Sequence, residues 1–130
     1  MVAAALYGVA DLVFSWNPIA AAPYVQHRHA PAFRRAPALD FGLVAEAVNG
    51  WIAALAFVLV EPALRGSPWR RGALFGMLVW GFWIVSGTMS VVVWLDVPDS
   101  VAAVNVAFGL PKCLVIGCGM AWFRRLRGPE

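Results

Sequence analysis

Three ionisable side chains stand inside long apolar runs of this sequence: Asp11, Glu46 and Lys112. A charge at the middle of a membrane-spanning helix costs roughly 2.5–3.5 kcal/mol on insertion scales, so such groups face a bundle interior, pair with one another or mark a path for protons or ions. Asp11 is nine residues into a run starting at Val2, and Lys112 is eleven into one starting at Val101. Both fall near a midplane and can neutralise each other. Glu46 lies only five residues from the outer end of its run, roughly 8 Å deep at 1.5 Å per residue. No basic residue of the runs lies at its depth, so it is the better candidate for a titrating group.

The uncharged polar residues keep to helical faces. Gly42, Glu46, Asn49 and Ala53 follow a four, three, four spacing, which is one stripe of an α-helix, and Gly8, Asp11, Ser15 and Pro18 form another. Asn105, Lys112 and Gly119 recur every seven residues, and Ser86 and Ser90 lie one turn apart. Turned toward one another, these stripes make a polar seam richest in its outer half, with Asn17, Glu46, Asn49, Thr88, Ser90 and Asn105. Two readings compete: interhelical hydrogen bonds that fix which helix lies beside which, or a proton or ion path.

A second pattern is a ridge of small side chains. Gly109, Cys113, Gly117 and Ala121 are spaced by four, and Gly72 and Gly76 form a GxxxG pair; both let another helix backbone come close. Packing between neighbouring spans is the expected use, with contact between copies as the alternative. Pro111 removes one helical donor beside Lys112 and frees a carbonyl there. Cys113 and Cys118, about 140° apart on one helix, cannot bond each other, and no CxxC occurs, so they read as packing residues. His27 and His29 flank Arg28, but two imidazoles lack the further ligands a metal needs, and no metal site or cofactor is expected. No nucleophile elbow, phosphate-binding glycine loop or HExxH is present, so no catalytic residue is assigned and no enzyme is expected.

The elements that must position these residues are set by composition. Of 130 residues 62% are apolar and 13% charged, against roughly 45–50% and 25% in soluble domains. Four windows reach the roughly 20 residues needed to cross hydrocarbon: 2–22, 41–60, 72–95 and 101–123. Asp40, Ser67 with Pro68, and Asp99 with Ser100 are expected to cap the last three. The first window carries Asp11, Asn17 and Pro18 and ends in Ala20-Ala21-Ala22, which imitates a cleavage site. It lacks the basic start and unbroken apolar stretch of a signal peptide and is expected to be retained.

The net charge of +3 comes from basic residues in loops and tails, which is a topogenic pattern and argues against nucleic acid. With the N-terminus inside, Arg65, Arg70, Arg71, Arg124, Arg125 and Arg127 face the cytoplasm and Arg28, Arg34 and Arg35 face out, which favours both termini inside. Trp69 and Trp122 then sit at the inner headgroup level, and Trp16 and Trp94 at the outer one.

Four short spans with one acid in the first resemble the general plan of the small multidrug exporters. The match ends at that plan: Asp11 replaces the expected glutamate, a long loop follows the first span, and Lys112 lies where a cation carrier would not want it. The chain is not assigned to that family. The expectation is an all-α bundle of four transmembrane helices in one domain, multi-pass in a cell membrane of the bacterial inner-membrane type. Its partners are the lipid bilayer and either other membrane subunits or further copies of itself. The expected role is helix packing, as an accessory subunit or homo-oligomer; the alternative is a small proton- or ion-coupled transporter or channel using the seam.

Overall fold

The computed structural model describes residues 5–6, 9–10, 13–14, 17–26, 39–95 and 97–126. Among these every element is helical and no strand occurs. In chain order they are α1 (Pro18–Gln26), α2 (Leu39–Val60), a 3-10 turn (Glu61–Ala63), α3 (Pro68–Val79), a π-helical segment (Trp80–Val85), α4 (Ser86–Trp94) and α5 (Asp99–Leu126). The run from α3 through α4 has 27 residues and α5 has 28, and both are long and apolar enough to cross a membrane.

Local chemistry accounts for the element ends. Gly66 takes φ +113°, a region other residues rarely adopt, and turns the chain into Ser67. The Ser67 side chain accepts from the Arg70 N–H, and Pro68 occupies the first helical position, as the sequence predicts. Because this cap precedes the apolar stretch, α3 begins at Pro68, four residues ahead of the expected window. The fourth window is likewise extended at both ends, to Asp99–Leu126. Its first turn is closed by the Pro98 carbonyl, which accepts from the Val101 and Ala102 N–H groups. Leu39 opens α2, so Asp40 lies within its first turn instead of before it.

The first window is interrupted. Asn17 Oδ1 accepts from the Ile19 and Ala20 N–H groups while its Nδ2 donates to the Val13 and Phe14 carbonyls. One amide therefore ends one helical stretch and caps the next, and α1 runs on to Gln26, beyond the expected Ala22.

Packing centres on α3 against α5. A Cβ at Gly76 would stand 2.5 Å from the Cys113 carbonyl oxygen, and one at Gly72 would stand 2.6 Å from Cys118 Cα. A Cβ at Gly117 would overlap the Gly72 oxygen. The two backbones touch, and only glycines allow it. Around this contact lies an apolar core of Ala10, Ala53, Phe57, Phe75, Ile116, Met120 and Ala121, with Leu6 and Phe14 packed against it. Phe57 and Phe75 meet edge to face at 5.0 Å, an arrangement favoured by ring quadrupoles.

Beyond the glycines the Ile84 side chain packs against Gly109. Ile84 belongs to the π-helical segment, whose wider ring shows in the Ser86 N–H donating to the Gly81 carbonyl five residues back. The outward surface is apolar: Phe82 is 88%, Trp94 83% and Leu59 80% exposed.

These contacts predict opposite outcomes for two glycine substitutions. Gly117→Leu forces α3 and α5 apart and lowers the thermal unfolding midpoint in detergent, by an amount equivalent to about 1–3 kcal/mol. Gly81, with nothing within 4 Å of an added Cβ, tolerates alanine without loss.

Candidate functional site

Two polar clusters lie along the α3–α5 contact. The first is within the apolar length of the helices. Asn105 Nδ2 donates to Thr88 Oγ1 at 2.7 Å, joining α5 to α4, and Thr88 is buried. Beside it, Trp80 Nε1 donates to the carbonyl of Val106, the next residue of α5, at 2.8 Å. Pro111 takes the N–H from the adjoining Ala107 carbonyl, so the indole binds next to the weakened stretch of the α5 ladder. Ser90 donates to the Ser86 carbonyl of its own helix. Lys112, 6% exposed, is buried about two turns further along α5 and is engaged in a polar or electrostatic interaction.

Of the residues the sequence places in a seam, Asn105 and Thr88 are brought together across two helices. Asn49 is half-buried on α2 and takes no part in that bond. Asn17 spends its amide on capping its own segment. Asp11 and the side chain of Glu46 lie outside the described residues, as do His27 and His29. The small-residue ridge splits by role: Gly117 and Cys113 meet Gly72 and Gly76, Gly109 meets Ile84, and Ala121 enters the core. Cys113 and Cys118 carry free thiols. Among the described residues no three His, Cys, Asp or Glu gather in a way that could hold a metal.

The second cluster closes one end of the molecule. Glu61, only 7% exposed, places Oε1 2.9 Å from Arg71 Nη1 and Oε2 2.7 Å from Arg124 Nη1. One carboxylate thus ties the turn after α2 to the start of α3 and the end of α5. Beside it the Trp69 and Trp122 rings meet at 5.4 Å, tilted by 33°, and the Arg125 guanidinium lies 5.9 Å over the Trp122 ring. Arg71 Nε is buried without a hydrogen-bond partner.

Sequence reasoning missed Glu61 because the apolar window closes at Val60 and the arginines are counted only for orientation. The available signal was a carboxylate at the very end of an apolar run, held there by Pro62, with arginines entering the next helix.

The geometry gives each cluster a measurable strength. Glu61→Ala leaves two guanidiniums facing each other and costs about 1–3 kcal/mol of stability in detergent; the arginines are partly exposed, so the cost falls below that of a fully buried pair. In a double-mutant cycle with Asn105→Leu and Thr88→Val, the coupling is about 0.6 kcal/mol and does not exceed about 1.7, as for hydrogen bonds between membrane helices.

The described contacts of both clusters join helices, and the second presents cations. No family model, no curated protein and no solved structure matches this chain.

Proposed function

We propose that this chain is a small integral membrane protein of four spans that acts through helix packing, as an accessory subunit or a homo-oligomer, and carries out no catalysis. The observation that carries the reading is the division of its side chains. Asn105, Thr88, Trp80 and Ser90 bond to each other or to helix backbone, while Phe82, Trp94 and Leu59 point away from the protein. Only 11% of the residues in the most apolar stretch of α3–α4 are buried in the molecule. In water such a surface would drive association; in lipid it is solvated.

Two further spans are supported by the core. Leu6, Ala10 and Phe14 from the first segment and Ala53 and Phe57 from α2 meet Phe75, Ile116 and Met120 in one cluster. With 22 residues, α2 reaches about 33 Å, enough for a hydrocarbon core of roughly 30 Å. Arg65, Arg70, Arg71, Arg124 and Arg125 gather at the Glu61 end, which under the positive-inside rule is cytoplasmic, and both termini follow.

Packing is favoured over transport because Asn105, Thr88, Trp80 and Ser90 spend hydrogen bonds on each other or on helix backbone. Reconstituted vesicles should therefore pass no ions under a proton or potassium gradient, and Glu46→Gln should be as silent as the parent. A pH-dependent flux lost in Glu46→Gln would replace this reading with transport. The chain should also stay with the membrane fraction through an alkaline wash; release into buffer would end the membrane reading itself.

A further inference from the structure

Five guanidiniums, those of Arg65, Arg70, Arg71, Arg124 and Arg125, converge on the end closed by Glu61, the one carboxylate described there, and leave four net positive charges. Glu61 cannot serve as a general counter-ion for the group, since it is buried and each of its oxygens already holds one guanidinium. What it does is hold Arg71 and Arg124 side by side against their mutual repulsion. A guanidinium has five donors in a rigid fork, and one nitrogen of each is in contact with Glu61, so both arginines keep donors to spare.

Arg70 forms no described ion pair. Its stem lies over Gly66, where an added Cβ would stand 2.8 Å from Arg70 Cδ, so the glycine turn lets the loop run beneath it. Arg125 is set by the Trp122 face, and Trp122 rests on Trp69. Paired indoles of this kind sit at the headgroup level of a bilayer, and the exposed apolar length of α3–α4 runs on from Trp69.

We propose that this end is a docking site for the phosphate of an anionic phospholipid headgroup: Glu61 positions Arg71 and Arg124, whose spare donors contact the phosphate together with Arg70 and Arg125, and the Trp69–Trp122 pair fixes the depth. Arginine forks match phosphate oxygens in pairs, which a diffuse basic surface does not. The inference rests on the membrane reading above. A lipid source is favoured over free phosphate because the cations adjoin the indoles and the lipid-exposed helix.

The test uses the full chain in mild detergent with equal amounts of phosphatidylglycerol and phosphatidylcholine, counting retained lipid by native mass spectrometry. The parent should retain phosphatidylglycerol with several-fold preference, and Arg70→Ala with Arg125→Ala should bring retention close to parity. Glu61→Gln is the sharper arm. It raises the net charge by one, so a diffuse attraction would strengthen, whereas a positioned site loses several-fold in preference. Parity in the parent, or a gain in Glu61→Gln, overturns the proposal, and full displacement by millimolar inorganic phosphate overturns the lipid assignment. Should Glu61→Gln fail to fold, Arg70→Lys with Arg125→Lys decides: it keeps the charge, so a diffuse attraction is unchanged, whereas a site read by guanidinium forks loses several-fold in preference. Parity in protein that still resists alkaline extraction sinks this site only; release by that wash sinks the membrane reading beneath it.

Discussion

The contact on which the structure depends is the meeting of two helix backbones at Gly72, Gly76, Cys113 and Gly117. No side chain separates them, so α3 and α5 are held at the smallest distance main chains allow. In a lipid setting, where burying apolar surface gains little because the acyl chains are equally apolar, such dense contact is what binds one helix to another. It also sets the geometry on either side. Toward the arginine end it brings Arg71 and Arg124 within reach of one carboxylate; in the other direction it leads α4 and α5 to the Thr88–Asn105 bond.

Between these two ends lie three unusual features: the π-helical segment, Trp80 and Pro111. Trp80 opens the π-helical segment where the glycines of α3 end, and its indole N–H bonds α5 close to the donor that proline removes. The polar groups here are absorbed by helix joining, in keeping with a role in packing.

Much of the α3–α5 half of the fold was legible in the sequence. The small-residue spacing of four marks two faces fit for close approach, because glycine permits it, but the letters alone do not say which helix each face meets. Ser67-Pro68 marked the start of α3 for an equally local reason. The π-helical segment was not legible: WGFWIV is an ordinary apolar stretch, and its Ile84 packs against a helix remote in sequence. Asn17 was read as a seam residue from its depth, yet its amide lies one step before a proline and serves the backbone around it. Glu61 escaped because depth arguments stop at the edge of an apolar window, whereas burial at that edge depends on two arginines ten and sixty-three positions away.

The separation of those partners along the chain bears on biogenesis. Arg71 is synthesised ten residues after Glu61, but Arg124 and the glycine strip of α5 follow only after the whole of α4 has been made. A nascent chain that has reached Trp94 therefore holds its acid by one hand, with Gly72 and Gly76 presenting bare main chain and nothing to cover it. The helices can form one by one as the ribosome elongates, but assembly waits until α5 emerges and closes both contacts together.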